Sequence, residues 1–325
     1  MSHRPVRRRF WAPGRVNLIG EFTDLAGGVA LPAAVDLGIV LECEPAAAIE
    51  LRSDPFGETA ALAPDGSGDA DGFARYVAGV AAELALLGRP PVGLRGELSS
   101  TLPAGAGLSS SAALEIVVGL ALCAVADFEL PPLELALAAQ RGVHRALGIP
   151  SGILDEAACL FGRKGYAVLF DFNSLEHELV RLPEDIVFVI AHSGVTRRLE
   201  HSGYATRKRE LDEGMPARLR YLEAENARVY AVAEALRAND LERVGELFRE
   251  GHDGVRDDFE ASIPELDRLV DLAYEHGAYA ARMTGGGFGG AIVALVDERD
   301  ATALTDRLPG RTWISGAADG ARELA

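Results

Sequence analysis

Apolar and polar positions divide the first third of the chain into strands and a helix. Alternation in GIVLECEP (38–45) and GLRGELSS (93–100) predicts two strands, and apolar residues at helical spacing in FARYVAGVAAELALLG (73–88) predict a helix between them. A strand is also expected through VNLIGEF (16–22), whereas APDGSGDADG (63–72) is typical of a surface loop. Strands and helices mixed in this irregular way favour an α+β fold.

The rest of the chain continues the same mixture. Further helices are expected at 131–148, ended by Gly148 and Pro150, at 153–162, through most of the charged stretch 206–260, and from Pro264; further strands are expected at 166–172, 187–193 and 292–296. The chain turns polar at HELVRLPED, so we place a domain boundary near 178–186. This predicts an N-terminal domain at 1–180 and a C-terminal domain at 181–325, the last residues of which could return to the first domain.

Composition limits the possible partners. The chain has 325 residues, 48% hydrophobic and 25% charged, with a formal net charge of −17, which disfavours binding to a phosphate backbone. The apolar run at 114–128 is shorter than the ~20 residues of a membrane span and predicts a buried core helix. Three cysteines in apolar surroundings suggest reduced thiols. We expect a cytoplasmic protein, monomeric or weakly homo-oligomeric, without nucleic-acid or membrane partners.

A glycine- and serine-rich loop is the most informative segment. TLPAGAGLSSSAALEI (101–116) runs from a strand through Gly105 and Gly107 into the apolar helix. Glycine permits close approach of backbone to a ligand, and the first N–H groups of a helix lack intrahelical partners and lie at its positive end. Ser109, Ser110 and Ser111 add hydroxyls for phosphate or Mg²⁺. The segment alone is also compatible with an N-capped core helix.

Two further glycine-rich motifs accompany this loop. APGRVNLIGEFTDLAGGVALP (12–32) precedes it and MTGGGFGGAIVAL (283–295) lies near the end. Together the three resemble the signature motifs of the GHMP kinases, and the first is similar to the galactokinase signature. The similarity continues at 148–176 and 189–210. It implies a two-domain GHMP kinase fold with the active site in the cleft between domains, and ATP and Mg²⁺ as cofactors. A Walker loop ending in GKS or GKT is absent.

The resemblance assigns roles to individual residues. Asp155 matches the family's catalytic aspartate, and Arg15 matches the arginine that approaches it and the transferred phosphate. Taken alone, Asp155 is also compatible with an acid that completes a helix dipole. The sugar-binding positions that the family implies are Glu21, Phe22, Asp24, Gly152 and Tyr204. The ATP-binding positions are Gly105, Ala106, Gly107, Leu108, Ser109, Ser110 and Ser111, of which Ser111 is also the metal ligand. Gly285, Gly286 and Gly287 are expected beside the substrate.

Three positions depart from the galactokinase pattern. Phe22 replaces a histidine and Leu25 a tyrosine, so two polar groups at the sugar site have become apolar. Val143 occupies the place of a glutamate that helps to hold magnesium, and valine cannot ligate a metal. Ser111, phosphates and waters could suffice for Mg²⁺, or Glu156, where the family has glutamine, could assist.

The sequence therefore predicts a sugar-1-kinase that phosphorylates the anomeric hydroxyl of a galactose-like monosaccharide. The departures leave L-arabinose or a 6-deoxy or C6-modified sugar open as the acceptor. A second hypothesis is a catalytically weak sugar and ATP sensor that engages a regulatory partner. A third, a kinase of mevalonate or homoserine type, shares the fold but would not be expected to show EFTD (21–24).

Overall fold

The computed structural model describes residues 7–54, 57–103, 105–148, 152–195 and 203–325. Strands and helices alternate irregularly along them. The strands are β1 (Arg8–Asn17), β2 (Val29–Ala30), β3 (Pro32–Ala46), β4 (Ile49–Ser53), β5 (Glu58–Leu62), β6 (Gly93–Ser100), β7 (Tyr166–Asp171), β8 (His177–Arg181), β9 (Ile186–His192), β10 (Ala280–Thr284), β11 (Ala291–Asp297), β12 (Thr312–Ser315) and β13 (Arg322–Leu324). The helices are α1 (Ala74–Leu86), α2 (Ser110–Val125), α3 (Pro132–Leu147), α4 (Leu154–Phe161), α5 (Tyr204–Asp212), α6 (Pro216–Arg237), α7 (Leu241–Asp257), α8 (Pro264–Glu275) and α9 (Ala301–Arg307).

Six strands form the first sheet, in the order β13-β1-β3-β6-β4-β5. β1 and β3 pair antiparallel, and the register shifts between Pro13 and Arg15, which is a bulge that re-aims the side chains beyond it. β13 pairs with β1 through Trp11 and Arg322, so the end of the chain lies on the first sheet.

The apolar segment predicted as a core helix is α2, which packs against β1, β3, α1 and α3. Ile116, Val117 and Val118 on it are fully buried. Cys43, Cys123 and Cys159 are buried free thiols. A hydrophobic side chain on almost every face keeps α2 inside the molecule, and its first turn opens at the glycine-rich loop.

Two smaller sheets complete the fold. The order β10-β11-β9-β12 forms one, with α7 and α8 packed on β10, and β2-β7-β8 forms the other. The hydrophobic cluster of the first sheet includes Phe188 and Ile190 of β9 and extends to Val229 of α6, so apolar packing crosses the boundary expected at 178–186. The division into two domains there stays a prediction.

Most sequence-based element predictions are confirmed, including the helix from Pro264 and the three helices α5, α6 and α7 within the charged stretch. The predicted strand at 16–22 is wrong beyond Asn17, where β1 ends. Gly20 and Phe22 adopt φ values of 102° and 68°, which no strand accommodates. Gly148 ends α3 in the left-handed conformation; Pro150 lies outside the described residues.

None of the helices in the described ranges is long and apolar enough to cross a membrane.

Candidate active site

The glycine-rich loop enters α2 through a strained backbone. Gly105, Gly107 and Ser109 have positive φ values of 72°, 76° and 58°, and Ser110 begins the helix. A serine in the left-handed region is uncommon, and such conformations concentrate at ligand-binding sites. The first turn of α2 therefore opens at this loop, with Ser110 and Ser111 half-buried, and N–H groups at a helix start are suited to an anion.

Strand β1 holds this loop in place. The Arg15 backbone N–H donates to the carbonyl of Leu108 over 3.2 Å, and Arg15 Nη1 donates to the carbonyl of Gly107 over 2.6 Å. Ala106 and Leu108 are buried, so they anchor the loop by their side chains and leave its backbone to a ligand. His192 Nε2 lies 3.1 Å from the carbonyl of Gly105.

Arg15 and Asp155 meet beside the loop. Asp155, in the first turn of α4, accepts a hydrogen bond at Oδ1 from Arg15 Nε over 2.7 Å. Its Oδ2 accepts one from the hydroxyl of Ser109. The Arg15 side chain is 5% exposed, whereas that of Asp155 is 35% exposed. The carboxylate is thus oriented from two sides and can still be reached by a ligand.

Glu21 lies in a fully buried group of charges. Arg282 on β10 donates through Nη2 to Glu21 Oε2 and to Glu225 Oε1, both at 2.7 Å. The Tyr221 hydroxyl donates to the carbonyl of Glu21 over 3.1 Å. Burial raises the pKa of Glu21 to about 7; the charge of Arg282 opposes the rise and that of Glu225 adds to it. We call Glu21, Arg282 and Glu225 the buried ion cluster.

Phe22, next to Glu21, is part of an aromatic group. Its ring stacks on Phe259 with centroids 4.2 Å apart, and Tyr204 lies 5.9 Å away. Phe22 is 4% exposed. Its φ of 68° is unusual for a bulky residue, so the surrounding packing must hold it there.

Asp24 and Gly152 are in direct contact. A Cβ on Gly152 would collide with Asp24 Oδ2, so only glycine allows this approach. Burial raises the pKa of Asp24 to about 7; the negative charge of Asp155 adds to the rise and Arg15 opposes it. A cavity of about 220 Å³ opens beside the pair, and Leu25 and Lys208 contribute to its lining.

The third glycine motif reaches both ends of this site. The N–H of Gly285 donates to Glu21 Oε1 over 3.4 Å. A Cβ on Gly287 would strike the carbonyl of Ala261, and one on Gly107 would lie 4.0 Å from the Cα of Gly290. The motif therefore lies between the sugar positions implied by the sequence and the glycine-rich loop.

Two more carboxyl groups are buried on α2 and α4, the helices that carry Ser111 and Asp155. Glu115 on α2 is 0% exposed and Glu156 on α4 is 2% exposed. Both Glu115 oxygens and Glu156 Oε2 lack a hydrogen-bond partner. Burial raises the pKa of both groups well above the usual range, with the charge of Glu156 adding to the rise at Glu115 and that of Asp155 to the rise at Glu156.

Direct contacts connect many of the sequence-predicted site residues: Arg15 binds Asp155 and the glycine-rich loop, and Asp24 contacts Gly152. The roles of these residues stay predictions. Sequence reasoning missed Arg282 and Glu225, although an arginine within the apolar run before the third glycine motif was a usable signal. It also missed the hydrogen bond from Ser109 to Asp155 and the stacking of Phe259, which no local pattern reveals.

Three family descriptions match the chain. Residues 3–45 match the galactokinase galactose-binding signature, residues 75–163 the GHMP kinases N terminal domain, and residues 232–314 the GHMP kinases C terminal region. Galactokinases of Thermococcus kodakarensis and Pyrococcus furiosus are 36% and 35% identical, each over 91% of this chain and 91% of the relative.

Solved structures of related kinases have the same fold as this chain. Lactococcus lactis galactokinase in complex with galactose superimposes with a TM-score of 0.90 at 29% identity, covering 98% of this chain and 95% of that one. A mevalonate kinase, at 22% identity and a TM-score of 0.74 over 96% of this chain and 99% of that one, shares the fold. The chain therefore belongs to the GHMP kinases, as the sequence motifs predicted. Within that family it is a sugar kinase related to galactokinases.

Proposed function

We propose that this kinase transfers the γ-phosphoryl group of ATP to the anomeric hydroxyl of a galactose-configured monosaccharide. The observation that carries the proposal is the position of Asp155, held by Arg15 and Ser109 yet 35% exposed beside the glycine-rich loop. A phosphoryl acceptor must be positioned and lose its proton as the new bond forms, and an oriented carboxylate can do both.

In the proposed reaction the anomeric oxygen forms a bond to the γ-phosphorus as the bond to the ADP oxygen breaks. The hydroxyl proton passes to the carboxylate of Asp155. Arg15 orients that carboxylate through its 2.7 Å hydrogen bond and balances charge on the transferred group. The loop N–H groups and the hydroxyls of Ser110 and Ser111 bind the phosphates.

The sugar would lie between Asp24, Gly152 and the aromatic group of Phe22 and Tyr204. Asp24 Oδ2, which contacts Gly152, can accept hydrogen bonds from sugar hydroxyls. The neighbouring cavity leaves room for the sugar ring. Glu21 acts mainly through the buried ion cluster, which fixes the loop that carries Phe22 and Asp24. The match to the galactose-binding signature at 3–45 supports the galactose configuration.

Mg²⁺ bound with ATP would reduce the negative charge of the phosphates and so favour transfer. Two features fit a hard cation that prefers oxygen ligands: the hydroxyl of Ser111 at the start of α2, and the unpartnered carboxylate oxygens of Glu115 and Glu156. The described residues contain no group of three or more histidine, cysteine or acidic side chains able to hold a metal alone. Such a site suits Mg²⁺ that is bound largely through phosphates.

An acceptor screen tests the proposal. ATP consumption is measured with galactose, L-arabinose, D-fucose, galactosamine derivatives and glucose, and ³¹P coupling in the product NMR spectrum identifies the phosphorylated carbon. We expect galactose-configured sugars to be phosphorylated at the anomeric position. Phosphorylation at another hydroxyl, or turnover with none of these sugars, would contradict the proposal.

A further inference from the structure

Two unpaired acids sit in the interior of the first half of the protein, close to the proposed ATP site. Glu115 is 0% exposed and Glu156 2% exposed, yet three of their four carboxylate oxygens lack a hydrogen-bond partner. A buried carboxylate without partners costs several kcal/mol or more, so such groups are rarely left without a ligand, proton or counter-ion.

Other buried acids of the molecule show how unusual this is. Glu83 on α1, 8% exposed, binds Arg141 and Arg145 of α3 over 2.7 and 2.5 Å. Glu225 binds Arg282 and Arg228. No ion pair of the described residues includes Glu115 or Glu156, and each acid instead lies near another acid.

The helix geometry directs Glu115 toward the glycine-rich loop. Ser111 and Glu115 are four residues apart on α2 and share one face. Side chains on an α-helix lean toward its N-terminus, so a carboxylate at position 115 extends back toward the turn that contains Ser111. Glu156 directly follows Asp155, whose Oδ2 is bound by Ser109 of the same loop.

Glu115 also packs against α3, at the residue that precedes Val143. A Cβ on the neighbouring Gly142 would lie 3.1 Å from Glu115 Oε1, so glycine at 142 makes room for this carboxylate against α3. Val143 itself is 8% exposed and has no polar side-chain atom. A carboxylate from α2 therefore lies against the turn of α3 that carries Val143.

We propose that Glu115 and Glu156 form the acidic half of a divalent-cation site, with Ser111 and the phosphates of bound ATP forming the other half. The inference rests on the proposed function, since the phosphates complete the site. Mg²⁺ is commonly held by one or two carboxylates together with substrate phosphates and waters, and this set provides that number. The cation would supply the compensating charge that the protein lacks around these two acids.

Metal and nucleotide binding are measured separately to test this. Binding of a non-hydrolysable ATP analogue is measured without metal, and Mn²⁺ is then titrated into the protein–nucleotide complex and followed by electron paramagnetic resonance. In Glu115→Gln and Glu156→Gln we expect metal-free nucleotide affinity to change by less than about threefold, while Mn²⁺ affinity falls by about tenfold or more. Absence of nucleotide binding by the wild-type protein would contradict the proposed function itself.

Thermal unfolding without ligands separates this role from a structural one. Removing an unpaired buried charge should raise the Tm of both glutamine variants, although metal binding becomes weaker. Glu83→Gln is the matched control, because it loses a paired buried carboxylate on a neighbouring helix. It should lower the Tm and leave Mn²⁺ affinity unchanged. Unchanged Mn²⁺ affinity in both test variants, or their failure to fold, would overturn the proposal.

Val143→Glu tests the cation site while Glu115 and Glu156 remain in place. If Glu115 and Glu156 already supply the carboxylates, a third acid should raise Mn²⁺ affinity by less than about threefold, since it adds repulsion. A gain of tenfold or more would show that the wild-type site lacks its carboxylate ligand, and would overturn the assignment.

Discussion

Two arginine–carboxylate pairs of the candidate site have the same donor–acceptor distance and differ in the exposure of the carboxylate. Arg15 binds Asp155 at 2.7 Å, and Arg282 binds Glu21 at 2.7 Å. The Asp155 side chain is 35% exposed, whereas those of Glu21 and Arg282 are 1% and 0% exposed. Distance alone therefore does not identify a reactive pair. A carboxylate that a substrate can reach suits proton transfer, and one enclosed by its partners suits the fixing of a loop.

The difference also appears in what each group connects. The Arg15–Asp155 pair joins β1 to the start of α4, and both residues bind the glycine-rich loop. The buried ion cluster joins the segment after β1 to β10 and α6, and Gly20 N–H adds a 3.1 Å bond to Glu225 Oε1. We infer that the first group serves the reaction and the second holds the two halves of the sugar site together.

Asp155→Asn should have the largest effect on turnover. Asparagine keeps the size of the side chain but cannot accept the proton, so kcat should fall by about 10²–10⁴ with nearly unchanged nucleotide binding. The Tm should change little, because the group is partly exposed. Steady-state kinetics and nucleotide titration measure both quantities, with the surface variant Asp258→Asn as control. Full turnover by Asp155→Asn would remove the distinction between the two groups.

Arg282→Met should have the largest effect on stability. It leaves Glu21 and Glu225 buried beside each other without their common partner, and breaking such a group costs about 3–5 kcal/mol. Urea unfolding should show this loss in the free energy of unfolding. Arg237→Met, which removes an arginine bound to Glu178 and Glu234 at the surface, should cost about 1 kcal/mol or less. Equal losses in the two variants would contradict a cluster that stabilises by burial.

The Arg15–Asp155 pair could be predicted from the sequence, whereas the buried ion cluster could not. Glycines and serines are local signals, so the loop could be found directly from the sequence. Asp155 was found through its match to the family motif, because an acid at a helix start is also compatible with a helix-dipole role. Arg282, Glu225 and Glu21 are far apart in sequence, and their meeting depends on how β10 and α6 pack. The prediction of a strand at 16–22 was wrong for a related reason. Alternating apolar residues are typical of a strand, but the backbone turns at Gly20 and Phe22. This turn allows Glu21 to bind Arg282 and Asp24 to contact Gly152.

The pH dependence of the Tm reports the protonation of Glu21 in the buried ion cluster. The folded-state pKa of Glu21 is raised to about 7, so the fold binds this proton more tightly than the unfolded chain does. The resulting stabilisation is present in full below the unfolded pKa near 4.5 and is lost as the pH rises toward 7. Glu21→Gln resembles the protonated acid. Its Tm should therefore equal that of the wild type near pH 4.5 and exceed it by a few degrees at pH 8.

Thermal unfolding of both proteins across this pH range measures the difference, and Glu58→Gln, an exposed acid, provides the control. A Tm difference between Glu21→Gln and the wild type that stayed constant from pH 4.5 to 8 would show that Glu21 keeps its charge in the folded protein.

Phe22→His should have the smallest effect and concerns the residue next to Glu21. The wild-type ring stacks on Phe259 and offers no hydrogen bond, so the acceptor's C6 hydroxyl, which we place at this ring, gains nothing there. One added neutral hydrogen bond is worth about 0.5–1.5 kcal/mol, a few-fold to tenfold in kcat/KM. We therefore expect the wild type to use L-arabinose nearly as well as galactose, and Phe22→His to shift the ratio of the two rates toward galactose by that factor.

Competition between the two sugars at equal concentration measures the ratio, and Phe161→His, in a separate aromatic stack with Phe170, controls for lost packing. Since Phe22 is only 4% exposed, a ring that lies beneath the sugar would leave a tenfold wild-type preference for galactose unchanged in the variant, and that result would assign Phe22 to the core alone.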